Sequence, residues 1–180
     1  AAMDGLDSSR LRDALRDYAE QWTRSREAIC SATFHRGEQS QERLEVRYAC
    51  LQSAAVAAGA LTESVSEDPS RAARAVAAVV SLRPPAECEQ VEGVRDTVSV
   101  PLERGLARVS AHFALLEWQE AAVAARALPE LPEGSSSQEV RRRLQTSKTL
   151  ERTGERAKAA DLLADAIDLA ITSERPEEAA

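Results

Sequence analysis

The sequence predicts an all-α protein, a three-helix N-terminal bundle followed by two helical hairpins that stack with a right-handed sense. Three observations carry this. Alanine makes up roughly a fifth of the chain, well above average usage, and Ala, Leu, Glu and Arg are all strong helix formers. The aromatic and β-branched residues that fill strands are scarce, aromatics reaching only 3%. Apolar residues recur at helical spacing between proline, glycine and serine breaks. Small side chains let helices approach closely, so tight helix–helix packing is expected in place of a few large anchors.

Residues 1–7 read as a cloning remnant and lead-in. The helical bundle is expected over 8–82. Ser8 or Ser9 can cap a first helix whose apolar positions are Leu11, Leu15, Tyr18, Trp22 and Ile29, ending near Thr33. Phe34-His35-Arg36-Gly37 breaks it. A second helix carries Leu44, Tyr48, Leu51, Ala55 and Ala58 and extends to Leu61 and Val65. Its other face is small, at Cys50, Ala54 and Ala57, and two such faces imply contact from both sides. Asp68-Pro69 starts a third helix through Ala72, Ala75, Val76, Val79 and Val80. Pro84 and Pro85 stop it. Residues 83–100, including the alternating run Val94–Val100, read as a linker, because an isolated strand is not stable.

The second half, 101–173, is expected to hold the two hairpins. Leu102, Leu106, Val109, Phe113 and Leu116 mark one helix after Pro101, and Trp118 to Leu128 mark the next, ended by Pro129 and Pro132. After the Gly134–Ser137 loop, Ser136 and Glu139 fit a capping box for a helix running to Arg152. Thr153-Gly154 turns the chain into a last helix, Ala157 to Ile171, and 174–180 form an acidic tail. Two strings stand at equivalent places, Leu116-Glu117-Trp118-Gln119-Glu120-Ala121 and Gly154-Glu155-Arg156-Ala157-Lys158-Ala159. They resemble the tetratricopeptide pattern of a turn, an aromatic and then an alanine opening the second helix of a hairpin. Ala121 and Ala159 hold the small position, Ala166 the next one in the second copy, and Leu128 its counterpart in the first. The spacing of the copies is roughly 38 residues, against 34 for the standard repeat.

The functional classes left open are few. Lys+Arg number 23 against Asp+Glu 30, a net charge of -7, which is a poor basis for binding a phosphate backbone. Arg141-Arg142-Arg143 reads as a solvated helix face, so no nucleic-acid partner is expected. No run approaches the ~18 apolar residues of a membrane span, so this segment is not expected to insert directly. His35 and His112 lack ligand-spaced partners, and Thr33 and Ser40 lack a nearby base; no metal, cofactor or catalytic residue is expected. Trp22 and Trp118 read as core residues.

A longer string in the first half is Trp22, Arg26, Cys30-Ser31-Ala32-Thr33, Arg36-Gly37-Glu38-Gln39-Ser40, Leu44, Arg47, Cys50-Leu51 and later Cys88. It resembles the region that follows the kinase domain in large bacterial serine/threonine protein kinases of the myxobacterial type. In that family the region comes after a transmembrane helix and precedes an array of tetratricopeptide repeats. The resemblance covers about residues 20–90, and the degenerate repeats continue it. It implies a non-catalytic sensory or docking region on the periplasmic side of the membrane, binding a peptide, protein or envelope ligand. The glycine-rich loop, His-Arg-Asp loop and Asp-Phe-Gly of a kinase are absent from the 180 residues, so no kinase activity is expected within them. The alternative is a stand-alone cytoplasmic helical scaffold or adaptor. Ligand identity and oligomeric state are not encoded in any motif here.

Cysteine bears on the compartment. Antiparallel first and second helices put Cys30 a turn or more from the level of Cys50, and Cys88 returns beside the second helix. The pairing Cys50–Cys88 therefore ranks first and Cys30–Cys88 second, with three buried thiols acting as small hydrophobes as the other reading. The polar cluster of Arg26, Arg36, Glu38, Gln39, Ser40 and Arg47 reads as a turn and helix cap, or else as a contact for a partner or anion.

Overall fold

A computed structural model describes residues 2–92, 99–131 and 136–174. It is all helical among those residues, with seven α-helices and no strand: α1 Ala2–Phe34, α2 Gln41–Glu67, α3 Ala72–Ser81, α4 Val100–Ala114, α5 Trp118–Arg126, α6 Ser136–Arg152 and α7 Arg156–Glu174. Short 3-10 helices, Pro69–Arg71 and Pro85–Gln90, flank α3. The chain divides into two compact units, Ala1–Arg95 and Asp96–Ala180.

In the first unit α1 begins at Ala2, so the stretch read as a lead-in supplies its first turns and Ser8 and Ser9 lie inside the helix. No proline interrupts that stretch, and one glycine among helix formers is tolerated. α1 and α2 run antiparallel, since Trp22 Nε1 donates to Leu51 O (2.8 Å) and Tyr18 Oη reaches Ala54 O (3.4 Å). Ile29, Leu51 and Cys88 form a buried centre, with Trp22, Leu44, Tyr48 and Cys50 around it. α2 is contacted by α1, α3 and both 3-10 helices, as its two apolar faces require. Ser40 caps it by accepting from Arg43 N (3.3 Å), and Asp68 caps the following 3-10 helix by accepting from Ser70 N (3.0 Å). Those Ser70 bonds, from hydroxyl and backbone, hold the Asp68 carboxyl below its ordinary pKa.

Residues 83–92 depart from the linker expectation. Pro85–Gln90 is helical, Cys88 is fully buried, and Tyr18 Oη donates to Arg83 O at 3.0 Å. Two prolines stop α3 but suit the first turn of a new 3-10 helix, and a cysteine supplies the apolar contact that ties it down. Burial pushes the Tyr18 phenol pKa up, so it remains a donor. Most of the run Val94–Val100 lies outside the described residues, as do the side chain of Ser136 in the expected capping box and the tail beyond Glu174.

Gly59 sits in the interior of α2, and a Cβ there would meet nothing within 4 Å. Gly59→Ala is expected to raise the stability of the first unit by about 0.5–1 kcal/mol, read from the urea midpoint.

In the second unit α4 packs on α5 through Leu102, Leu106, Val109, Ala125 and Leu128. Gly105 makes room for the segment that follows α5: a Cβ at that position would lie 2.6 Å from Leu128 Cδ2. α6 packs on α4, α5 and α7. It runs parallel to α4, because the pairs Ser99–Gln138, Glu103–Arg141 and Ser110–Gln145 advance together. It runs antiparallel to α7, because Ser147 Oγ donates to Ala159 O (2.8 Å) and Arg143 reaches Asp165 O (3.5 Å). Ala121, Ala159, Ala166 and Leu128 are all buried. Glu139 is held by both Arg142 (2.6 Å) and Arg143 (2.7 Å). Its pKa is lowered, first by the Arg142 hydrogen bond. The first turn of α6 therefore gains stability above the ordinary Glu pKa of about 4.3 and loses it as pH falls through the lower folded value.

Candidate functional site

The sequence directs attention to three places: the polar cluster, the cysteines and the repeated turn. In the first unit the string Trp22 to Cys88 converges on one end of the α1–α2 pair. Gln39 Nε2 donates to Ile29 O (2.8 Å) and Thr33 Oγ1 (2.7 Å), closing the end of α1, while Gln39 Oε1 accepts from Arg47. Arg47 Nε in turn reaches Val91 O (3.4 Å). Arg36 binds Glu38 (2.8 Å) and Ser31 Oγ (3.0 Å) beside Gly37, whose φ of 65° suits glycine at the turn. Arg26 shares none of these bonds. It lies 5.9 Å from the Trp22 ring centroid and donates to Tyr48 Oη (3.4 Å), which also meets Cys30 Sγ (2.8 Å).

These side chains bond to one another and to the backbone of their own unit. Such an arrangement clamps a helix junction, and a ligand would have to displace those bonds. Cys50 and Cys88 are joined by a disulfide with Cα atoms 5.6 Å apart, and Cys30 is free. The bridge fastens the Pro85–Gln90 segment to the middle of α2.

The second unit carries a repetition that residue identity only partly shows. At the end of α4, Leu115 N, Leu116 N and Glu117 N donate to Ala111 O, Phe113 O and His112 O, at 3.0, 3.1 and 2.9 Å. At the end of α6, Thr153 N, Gly154 N and Glu155 N donate to Thr149 O, Glu151 O and Leu150 O, at 3.0, 3.2 and 2.9 Å. Each set is a Schellman termination. The next helix then opens with Ala121 N to Glu117 O in one case and Ala159 N to Glu155 O in the other. Every atom pair moves by the same 38 residues. Leu116 has φ 61° and Gly154 φ 92°, so a leucine takes the left-handed position at which the second copy has glycine.

Sequence reasoning missed two polar contacts here. His112 Nδ1 and Glu117 Oε2 lie 2.9 Å apart across the first turn, both side chains nearly buried. The Glu103 carboxylate, itself buried, is gripped by Arg141. Residues 103 and 141 are separated by the repeat spacing, so they occupy equivalent positions on parallel helices; that equality was the available signal. Trp118 packs edge-on to Phe113 (centroids 4.8 Å) with Arg152 over its ring (5.3 Å). Arg142 and Arg143 are engaged by Glu139, which takes the arginine run out of simple solvation.

Among the described residues, no three His, Cys, Asp or Glu side chains converge as a metal ion would require, and no helix is long and apolar enough to cross a membrane. Comparison with known proteins returns no matching family model, no matching curated protein and no matching solved structure.

Proposed function

We propose that this chain is a non-catalytic sensory or docking region of a bacterial serine/threonine protein kinase. Its first unit would be the helical spacer, a three-helix bundle. Its second would be two tetratricopeptide-like hairpins stacked in a right-handed sense, binding a peptide, protein or envelope ligand on the surface of the repeats. The observation that carries the binding part is the turn repeated bond for bond at 38 residues, with α4 and α6 parallel. Stacked hairpins of this kind present extended faces that suit a polypeptide. The attachment to a kinase rests on the resemblance of the string from Trp22 to Cys88 to the region that follows the kinase domain in that family. A structural disulfide favours an oxidising compartment, in keeping with a periplasmic location.

The experiment is to read the coding sequence upstream of Ala1. A kinase domain followed by a membrane span is expected there. An upstream sequence with neither would overturn the kinase attachment and favour a stand-alone scaffold.

A further inference from the structure

We propose that the Cys50–Cys88 bridge is a redox-sensitive latch on residues 83–92, opened from the Cys50 side by a dithiol reductant while α1, α2 and α3 stay folded. The latch involves neither the resemblance to a kinase region nor the repeats of the second unit.

Residues 83–92 lie on the helices of the first unit as a strap. Of these residues only Pro85 and Cys88 are buried. Besides the bridge, the strap is held where Tyr18 Oη donates to Arg83 O (3.0 Å) and Arg47 Nε to Val91 O (3.4 Å), and Arg43 stands 3.8 Å from Glu92. Ordering such a segment costs chain entropy that two buried side chains offset only in part, so the covalent link decides whether it stays down. The helices do not depend on the strap in the same way. α1, α2 and α3 all pack directly on one another, and Leu11, Leu51, Leu61, Ala75 and Val79 are buried in them.

The two sulfurs of the bridge are not equivalent. Cys88 is fully buried, whereas Cys50 is half-buried and Arg83 Nη1 lies 3.6 Å from its sulfur. A guanidinium there draws an incoming thiolate and favours a departing one, so attack falls on Cys50. The reductant's first sulfur bonds to Cys50 Sγ, the S–S bond breaks, and Cys88 leaves with the electron pair and takes a proton as the strap lifts. The reductant's second thiolate then attacks its own first sulfur. Cys50 departs as a thiolate beside Arg83, and the reductant leaves as a disulfide, having given two electrons to the bridge. Cys30 does not take the reductant's place. Trp22 stands level with Leu51, which puts Cys30 roughly 10 Å along the helix from the level of Cys50. Its thiol is engaged with Tyr48 Oη (2.8 Å).

The test uses the full oxidised chain without denaturant, with Cys30→Ser so that only the bridge sulfurs remain. A pulse of glutathione, a monothiol probe, followed by acid quench and peptide mapping, should place the mixed disulfide on Cys50 and a free thiol on Cys88. Arg83→Gln should slow reduction by dithiothreitol severalfold; the Tyr18 bond goes to the main chain of residue 83 and survives the exchange. With dithiothreitol present, glutamyl endopeptidase should cut after Glu87 and Glu89 roughly tenfold faster or more than in the oxidised chain. Under those conditions the Trp22 fluorescence of a Trp118→Phe variant should remain native. A mixed disulfide on Cys88 overturns the latch, as does a reduction rate that Arg83→Gln leaves unchanged. Reduction that proceeds only at urea concentrations that unfold the first unit overturns it too. Loss of the native Trp22 signal on reduction, or unchanged cleavage after Glu87 and Glu89, makes the bridge a structural staple instead. None of these results touches the upstream coding sequence, so the two readings fail separately.

Discussion

Reducing the Cys50–Cys88 bridge is expected to cost the first unit about 4 kcal/mol while leaving the second unit unchanged. The bridge closes a loop of sequence separation 38, and removing that constraint from the unfolded chain gives a stabilisation of this order in the loop-entropy view. The effect is confined because both cysteines lie in the first unit and the centre they join is made of α1, α2 and the Pro85–Gln90 helix. The two tryptophans make this measurable. Trp22 belongs to the first unit and Trp118 to the second, so a Trp118→Phe variant follows the first alone in a urea titration with and without reductant. Under denaturing conditions the oxidised protein should show one thiol, Cys30, and the reduced protein three. Three thiols at the outset, in protein prepared under oxidising conditions, would remove the disulfide from the account.

Arg141→Ala is expected to destabilise the second unit by about 2 kcal/mol. Glu103 is 8% exposed and its carboxylate is held through two guanidinium nitrogens, so the variant leaves a buried charge without its main counterion. Arg141 is half exposed, which lets water screen the pair and keeps the loss below that of a fully buried one. A Glu103→Leu/Arg141→Leu double variant should recover most of the loss, because apolar residues replace both partners. Urea unfolding followed at Trp118 in a Trp22→Phe background distinguishes the cases. Equal destabilisation by the single and double variants would mean that the loss does not come from leaving the Glu103 charge buried without its partner.

How far these features could be read in advance depended on what fixes them. The helices of the first unit were legible because Asp68-Pro69, Pro84-Pro85 and Gly37 act locally, through missing donors and permitted φ values. The Cys50–Cys88 pairing ranked first because antiparallel helices fix which residues share a level. The lead-in was misread because Ser8 and Ser9 are good caps, yet the chain before them has equal helix propensity and nothing to stop it. Residues 85–92 were misread because their order comes from tertiary packing of Cys88 and from Tyr18 and Arg47, which lie far away in sequence. At the repeat, Ala121 and Ala159 were visible as small residues, but Leu116 hid the turn: its left-handed backbone is imposed by the Schellman bonds and not by its own preference. Of the polar cluster, the residue types suggested either a cap or a ligand contact, and only the partners of Gln39 and Arg47 reveal a clamp.

The equivalence of the two turns is the claim on which the second unit's interpretation stands, and substitutions at its two left-handed positions test it most directly. Leu116 carries a side chain where φ is 61°, and Gly154 has φ 92° with open space around it. Leu116→Gly should therefore stabilise the second unit by about 0.5–1 kcal/mol, and Gly154→Leu should destabilise it by about 1–2 kcal/mol. The measurement is the shift in urea midpoint at Trp118 for each variant. Opposite signs are the predicted result; a loss of stability in both variants would contradict it.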